Sequence, residues 1–357
     1  MPVLQRSLLP ALGRLRSRGP VGLGDAVLKQ ARWRGAARAV ELQLARAGWT
    51  GSPVVVGPCL SEVGFELMYW IPFVRRLTER FGLHPEQVTV VSRGGVAAWY
   101  DDIAACYIDV LDVFDADEYE VRLTRRRAEA GDRKQLSIAR FDREILDRTG
   151  GRQCPTIVHP SLMFLRLRYY WSGERREAAL ERRTRFRMFS HEAITALPPP
   201  DAAPECYIAF KAYFSDCFPD TGDNRAVLGL MIEHLAEAGD VVVLRAPRGL
   251  DDHHDWEPPS GDRIHRAAAW LTARDNLAVQ SALIARAESL YCTYGGFASL
   301  APLLGVDAVT FYSTPNHNRV HLGVARRMAR DVGRSAFTVT DVRGGKVPLP
   351  AGVAACP

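Results

Sequence analysis

The stretch ESLYCTYGGFASLAPLLGVDAVTFYS, residues 288–313, has the pattern of a parallel α/β unit. A β-rich run ends at Thr293, two glycines follow at once, and apolar residues then recur with helical spacing up to Gly305. A second β-rich run, AVTFY, occupies residues 308–312. Strands that alternate with helices in this way are typical of parallel sheets. The stretch therefore predicts a parallel α/β fold around it.

The same alternation extends through most of the chain. The pattern predicts strands at 53–56, 88–92, 110–114, 156–159, 206–211, 241–245, 289–293 and 308–312, and helices at 225–238, 277–287 and 297–304. A chain of 357 residues is too long for one typical core. We expect two Rossmann-like α/β domains that face a cleft.

Composition places the domain boundaries. Four prolines within residues 196–205 indicate a linker. The predicted division is a basic, helical N-terminal segment at 1–50, a first domain at 51–195, the linker, a second domain at 206–335 and a tail at 336–357.

Charge is mild overall and uneven along the chain. The formal net charge is +5, but residues 1–50 carry nine Arg or Lys against Asp25 and Glu41, and a second basic block occupies residues 166–187. A solvated surface explains such blocks, and peripheral contact with an anionic membrane through the N-terminus is the alternative. Nucleic acid is disfavoured because no known reading module accompanies the charge. Without a secretory signal or an apolar run of membrane-spanning length, the sequence predicts a cytoplasmic protein.

Neither a metal nor a bound cofactor is expected. The seven cysteines include no CxxC pair. The stretch LDDHHDWEPP, residues 250–259, is rich in possible ligands but lacks HxH and HxxxH spacing, which favours a solvated loop. Walker-type GK[ST] and G-x-S-x-G motifs are also missing from the sequence, so kinase, ATPase and hydrolase classes are disfavoured.

The turn between the strand at 289–293 and the next helix is a candidate anion site. Gly295 and Gly296 let a phosphate approach the main chain, and the following helix N-terminus is positively polarised. Lys211 and Arg245 end two neighbouring predicted strands, and we expect both to face this turn. A tight turn without a ligand is the alternative. Asn276 and Gln280 begin the preceding helix, where they either contact the base or sugar of a nucleotide or cap the helix.

A second candidate loop follows the first strand. In VVVGPCLSEVGFELMYWIP, residues 54–72, a buried strand is followed by a loop that carries two acids and a glycine. Glu62 would accept a proton or hold hydroxyl groups, and Gly64 would allow close approach of the backbone. Glu66 follows one helical turn later and either joins the site or stabilises the helix start.

Both loops resemble one family. The segment 275–305, together with Lys211 and Arg245, is similar to the nucleotide-sugar-binding half of GT-B glycosyltransferases. The segment GPCLSEVGFELMYWIPFVR, residues 57–75, resembles the GPWxGEFGWEL-type signature of bacterial glycosyltransferases from surface-polysaccharide or glycoconjugate gene clusters. Cys59 stands where that pattern has a bulky aromatic residue, and Ser61 replaces a glycine. The resemblance covers residues 51–335.

The resemblance implies that the second domain holds a nucleotide-sugar donor without a metal, and that the first holds the acceptor and the base. The predicted donor-binding residues are Lys211, Arg245, Asn276, Gln280, Tyr294, Gly295 and Gly296. The predicted acceptor-binding residues are Gly64, Glu66, Arg93 and Tyr100, and the candidate catalytic residues are Glu62, His159 and Asp101. The aromatic residues Trp99 and Tyr100 beside Asp101 predict a platform for a sugar ring, with a buried Trp99 and a capping Asp101 as the alternative. For His159 the alternative is a structural role.

The sequence thus predicts transfer of a sugar from a nucleotide-sugar to a hydroxyl of a glycan, a lipid-linked or a small-molecule acceptor. The alternatives are a nucleotide-sugar epimerase or hydrolase on the same scaffold, and a non-catalytic nucleotide-sugar- or glycan-binding protein.

Overall fold

The computed structural model describes residues 20–130, 134–172, 176–246, 254–314 and 319–345. Two parallel sheets lie at its centre. The first contains β1 (Val54–Val56), β2 (Val88–Ser92), β3 (Cys106–Asp109) and β4 (Thr156–Val158), in the order β3-β2-β1-β4. The predicted parallel α/β class is therefore confirmed for the first half.

The second sheet has six strands that are all parallel to their neighbours. Its order is β12-β11-β10-β5-β7-β9, with β5 (Ile208–Lys211), β7 (Val241–Val243), β9 (Ile264–Arg266), β10 (Ser289–Thr293), β11 (Asp307–Tyr312) and β12 (Phe337–Asp341). Two short antiparallel strands, β6 (Tyr213–Phe214) and β8 (His254–Asp255), pair beside it.

Helices connect the strands. They are α1 (Pro20–Thr50), α2 (Val63–Phe65), α3 (Ile71–Phe81), α4 (Ala116–Ala130), α5 (Arg140–Arg148), α6 (Pro160–Arg166), α7 (Arg168–Ser172), α8 (Arg176–Arg183), α9 (His191–Thr195), α10 (Gly222–Ala238), α11 (Asn276–Arg286), α12 (Gly296–Leu304) and α13 (Arg319–Val332). A π-helical turn, Glu66–Trp70, joins α2 to α3. The predicted helical character of the N-terminal segment holds for residues 20–50, and residues 1–19 lie outside the described part of the chain.

Burial explains why the central strands form where they do. Val54, Val55 and Val56 of β1 are all buried, as expected for a strand covered on both faces.

The helix ends carry capping residues. The first residue of α10 follows Thr221, whose hydroxyl accepts a hydrogen bond from the amide of Asn224 at 3.2 Å. Gly305 ends α12 in the left-handed conformation, with φ 77°.

Two predicted boundaries are wrong. The strand expected at 110–114 lies instead at β3, because Asp109 accepts a hydrogen bond from the amide of Leu111 at 2.8 Å and begins a 3₁₀ turn at Val110–Asp112. The tail predicted from residue 336 contains β12, which pairs with β11 throughout its length. The second sheet therefore extends beyond the predicted end of its domain at residue 335.

The two sheet regions are packed against each other instead of being separated by an open cleft along their whole boundary. The amides of Leu277 and Ala278 donate to the carbonyl of Gly94 at 3.1 and 2.9 Å. The indole of Trp99 donates to the hydroxyl of Ser281 at 3.0 Å. We call this boundary the seam.

Candidate functional site

The glycine-bearing turns of the two sheets touch at the seam. Gly64 follows β1 and Gly296 follows β10, and both strands lie inside their sheets. A Cβ atom on Gly296 would lie 2.6 Å from the amide nitrogen of Gly64, and one on Gly64 would lie 3.1 Å from the Cα of Gly296. Backbone therefore meets backbone here, and only glycine permits the approach. The turn with Glu62 lies beside the turn predicted to bind phosphate.

The space next to Gly295 is occupied by Tyr213. A Cβ atom on Gly295 would lie 1.3 Å from the Tyr213 hydroxyl, which is sterically impossible. Tyr213 is buried, as is Tyr294, the residue before the glycines, whose amide donates to the carbonyl of Phe311 at 2.8 Å. A phosphate that approaches Gly295 on this side therefore requires the tyrosine ring of residue 213 to move.

Lys211 lies close to this turn and is neutralised within the protein. Its Nζ is 2.9 Å from Oδ2 of Asp255 and 5.0 Å from the ring centroid of Phe297, the second residue of α12. The same Asp255 oxygen accepts from the amide of Ala246 at 3.0 Å. Lys211 is buried, so its charge is held in place by this carboxylate.

Arg245 has different surroundings. Its guanidinium pairs with Glu257, and its side chain is 41% exposed, whereas that of Lys211 is 5% exposed. Each of the two predicted cations is therefore paired with its own acid, and their facing the glycine turn together stays a prediction. Lys211 remains next to α12, and Arg245 lies in a more exposed environment.

Asn276 and Gln280 are partners of each other. Nε2 of Gln280 donates to Oδ1 of Asn276 at 2.5 Å, and both residues are buried. Asn276 is the first residue of α11, and Asp275 occupies the cap position, so the predicted capping role of Asn276 is wrong. Within the described residues, Oε1 of Gln280 has no hydrogen-bond partner, which leaves one buried acceptor available.

Glu66 lies in the protein interior. Its carboxylate accepts from Ser92 Oγ at 2.7 Å, from Arg93 at 2.6 Å and from the Tyr100 hydroxyl at 2.6 Å. Its exposed fraction is 0%. Burial, and then the negative charge of Glu66, raise the pKa of Tyr100 well above its usual value, which keeps the phenol protonated as a donor. The three residues predicted to contact an acceptor here, Glu66, Arg93 and Tyr100, instead satisfy one another.

This buried group fixes the loop that carries Glu62. A second amino group of Arg93 donates to the carbonyl of Ser61, the residue before Glu62. The carbonyl of Glu62 accepts from the amides of Phe65 and Glu66 at 2.9 and 3.1 Å. The Glu62 side chain is half-buried and, among the described residues, takes part in no hydrogen bond or ion pair. Glu62 is therefore a carboxylate that remains available at the seam.

His159 is buried in the protein interior instead of being exposed on the loop that carries Glu62. Its Nδ1 accepts from the amide of Ser161 at 3.1 Å and so caps α6, and its Nε2 is 3.5 Å from Asp142. Burial lowers the pKa of His159, and the neighbouring carboxylate of Asp142 only partly opposes this. Burial alone would raise the pKa of Asp142, but the nearby His159 ring and the hydrogen-bonded Arg126 lower it below its usual value. The described contacts favour the structural alternative for His159.

Gln135 connects Asp142, which lies next to His159, to the loop that carries Glu62. Its Oε1 accepts from the amide of Leu60 at 2.7 Å, and its Nε2 donates to the carbonyl of Pro58 at 2.8 Å and to Asp142 at 3.3 Å. The loop between β1 and α2 is thus held from two sides by buried polar side chains. Such a loop presents Glu62 in one position.

Asp101 and Trp99 do not meet at the contact between the glycine turns. Trp99 is buried and stacks on Phe189 with ring centroids 5.9 Å apart, so its ring offers no face to a sugar. Asp101 keeps much of its surface exposed. The burial of the remainder, and then the negative charge of Asp102, raise the pKa of its carboxyl group. The predicted sugar platform of aromatic and acid is therefore wrong, since the Trp99 and Tyr100 rings are both inside the protein.

The structure adds a histidine that the sequence patterns did not indicate. Nδ1 of His321, on α13, is 2.6 Å from the Tyr69 hydroxyl, and its ring meets that of Phe65 edge-on at 5.3 Å. Phe65 directly follows Gly64, so the histidine lies beside the glycine contact. Burial, together with the positive charge of Lys134, lowers the pKa of His321 to about 4. No motif surrounds His321 in the sequence, and only the pairing of α13 with the first half reveals it.

Two further findings bear on ligands and location. Within the described ranges, no group of three His, Cys, Asp or Glu side chains is placed to hold a metal ion. Metal independence nevertheless stays a prediction. In the same ranges, no helix combines the length and the apolar character needed to cross a bilayer.

Comparisons with known proteins give similarity to structures alone. No protein-family model matches the chain, and no curated protein sequence matches it. The chain is similar to ADP-heptose LPS heptosyltransferase II of E. coli, with a TM-score of 0.44, 12% identity, and coverage of 81% of this chain and 90% of that one. It is also similar to a family 9 glycosyltransferase from Veillonella parvula, with a TM-score of 0.40, 12% identity, and coverage of 81% and 86%.

A third similar structure is the UDP-GlcNAc 2-epimerase of Methanocaldococcus jannaschii. Its TM-score is 0.36 at 8% identity, with coverage of 81% of this chain and 88% of that one. Likenesses of this strength assign neither a family nor an activity. The parallel α/β architecture stated above rests on the strand pairing of the chain itself.

Proposed function

We propose that this protein is a cytoplasmic, nucleotide-sugar-dependent glycosyltransferase of the GT-B type that transfers a sugar to a hydroxyl of a glycan or other acceptor without a bound metal. The observation that carries the proposal is the backbone contact between Gly64 and Gly296. It puts the turn with Glu62, at the end of β1, against the glycine turn at the start of α12. Carboxyl ends of parallel strands are where ligands of such sheets bind.

The chemistry of transfer needs two groups that these turns can supply. An acceptor hydroxyl must lose a proton, and the half-buried carboxylate of Glu62 is available to take it. The departing diphosphate must gain positive charge, which the N-terminus of α12 and Lys211 would provide. Lys211 is held by Asp255 at 2.9 Å, so a diphosphate would have to compete with this carboxylate.

Donor binding requires the seam to open locally. Gly64 and Gly296 are in contact, and Tyr213 fills the space at Gly295. A nucleotide diphosphate therefore enters only when the two turns separate and the tyrosine rotates. Gln280, whose buried Oε1 has no partner within the described residues, is the acceptor we assign to the nucleotide.

Turnover separates transfer from its three rival functions. Release of nucleoside diphosphate that depends on an added acceptor supports transfer. Release without an acceptor supports hydrolysis, interconversion of the donor sugar supports an epimerase, and binding without release supports a binding protein. A thermal-shift screen against nucleotides and nucleotide sugars selects the donor first, because a ligand that binds only the folded state raises the melting temperature.

Two variants then test the site. We expect Glu62→Gln to lower kcat by about 10²- to 10⁴-fold with donor affinity kept, since it removes the proton acceptor alone. Lys211→Ala should instead weaken donor binding, measured by calorimetry. Small and equal effects of both variants would contradict the site assignment.

A further inference from the structure

One face of α1 exposes apolar and basic side chains together. Its members recur every three or four residues and so lie on one side of the helix; they are Arg34, Arg38, Leu42, Arg46 and Trp49. Trp49 is 89% exposed and Leu42 is 72% exposed, the highest values among the large hydrophobic residues described. The opposite side of the helix, with Ala37, Leu44 and Ala47, is buried. Exposed tryptophan and leucine on an otherwise polar helix face are typical of an interaction surface.

Further arginines lie beside this face, and one of them is paired with an acid of α1. Glu41 of α1 pairs with Arg166 at 2.8 Å. Arg183 lies in the same electrostatic neighbourhood as Arg166, Arg182 and Arg80, with Glu41 as the acid that opposes them. Burial and then Arg166 lower the pKa of Arg183. A cluster of like charges of this kind adds to the positive potential around α1.

We propose that this α1 face, defined by Arg34, Arg38, Leu42, Arg46 and Trp49, docks on the surface of an anionic phospholipid bilayer. Arginine binds lipid phosphates, and a tryptophan ring is favoured at the boundary between headgroups and acyl chains. Leu42 enters the same boundary. A polynucleotide would also satisfy the arginines, but it offers no apolar phase to the leucine, and therefore the bilayer fits better.

The proposal is independent of sugar transfer, because none of these side chains belongs to the contact between the glycine turns. Docking through α1 would place the protein where acceptors carried by lipids are found. Its test measures membrane binding alone, so its failure leaves the transferase proposal untouched, and the reverse also holds.

The experiment is co-sedimentation of the full chain with vesicles of phosphatidylcholine, with or without about one third phosphatidylglycerol, at low and physiological salt. We expect binding to the anionic vesicles only, weakened by salt. The double variant Arg38→Gln, Arg46→Gln should weaken binding by about thirtyfold, and Leu42→Ser with Trp49→Ser by about tenfold or more. Circular dichroism and melting temperature verify that each variant is folded.

The control substitutions lie on helices that are distant in sequence from α1. Leu230→Ser removes another exposed leucine, which is 57% exposed on α10, and Arg125→Gln removes an exposed arginine that pairs with Glu129. Both should bind vesicles like the parent chain. Equal binding to neutral and anionic vesicles, no binding, or loss in the controls as large as in the α1 variants would overturn the proposal. Tighter binding to single-stranded polynucleotide than to vesicles, lost in the same α1 variants, would overturn it too.

Discussion

The carboxylate of Glu66 accepts hydrogen bonds from three side chains, one of them the ion-paired Arg93, and it is fully buried. Removal of one partner leaves the other charged and buried. We expect Glu66→Gln to lower the free energy of unfolding by about 3–5 kcal/mol, measured by urea denaturation.

The control is Glu129→Gln, which breaks an exposed pair with Arg125 and should cost less than about 1 kcal/mol. The double variant Glu66→Leu, Arg93→Met should be more stable than Glu66→Gln, because no uncompensated charge remains. A cost of Glu66→Gln no greater than that of the control would show that Arg93 is not buried against Glu66.

His321 makes stability depend on pH in a defined direction. Its pKa is about 4 in the folded protein, against 6.5 for an ordinary histidine. Between these values the unfolded chain binds a proton that the folded chain does not, so the free energy of unfolding falls as the pH falls from 6.5 towards 4, by at most about 3 kcal/mol. Above pH 6.5 His321 contributes no pH dependence.

His321→Asn should therefore lose less stability than the parent chain between pH 7 and pH 4.5, by urea denaturation at each pH. His234→Asn, at a histidine with a 43% exposed side chain on α10, is the control and should follow the parent. Parallel curves for all three proteins would refute the burial of His321 against Tyr69 and Phe65.

The residues that the sequence could not assign share one property: their partners are distant in the chain. Glu66 and Arg93 are 27 residues apart, and Tyr69 and His321 are 252 apart. Position at the end of a strand is visible in a sequence, and Glu62, Gly64 and Gly296 do lie where a strand is followed by a helix. Whether a polar side chain faces a ligand or another buried side chain depends on contacts that a sequence pattern does not contain.

At the level of elements, the strands whose bounds the sequence misplaced, or which it did not predict, include three that lie at sheet edges. β3, β9 and β12 are edge strands in the observed orders. Their residues are largely half-exposed, so the apolar run that marks a central strand is weak. Central strands such as β2 and β10 have bounds identical to those predicted, since their branched and aromatic residues are buried on both faces.

The start of α12 depends on glycine for its packing. We expect Gly296→Ala to destabilise the protein by more than about 1 kcal/mol, because its Cβ would lie 2.6 Å from the backbone of Gly64. Gly229→Ala is the control: it lies inside α10 with no atom within 4 Å of its Cβ, so it should stabilise by about 0.5–1 kcal/mol. Thermal denaturation distinguishes the two, and a stabilised Gly296→Ala would contradict the contact.

For the whole molecule, the seam divides into two kinds of contact. Across part of it, side chains bind the halves together: Arg274 pairs with Asp112 at 2.5 Å, and the Trp99 indole reaches Ser281. Residues 189–197 also belong to this part, since the Phe189 amide donates to the Leu303 carbonyl at 2.8 Å and Arg286 donates to the Leu197 carbonyl at 2.8 Å. At Gly64 and Gly296, in contrast, the two backbones approach closely, and no hydrogen bond joins these two residues in the described part of the chain.

This asymmetry predicts where the molecule opens. If donor binding separates the glycine turns while the Trp99 and Arg274 contacts persist, hydrogen exchange should become faster in the peptide around residues 60–66 when a donor is added. The peptide around residues 274–282, which contains the amides that donate to Gly94, should keep its protection. Exchange measured by mass spectrometry, with and without the nucleotide sugar selected by thermal shift, compares the two regions directly. Equal protection of residues 60–66 with and without a bound donor would show that the turns stay in contact, and the phosphate would then have to bind elsewhere.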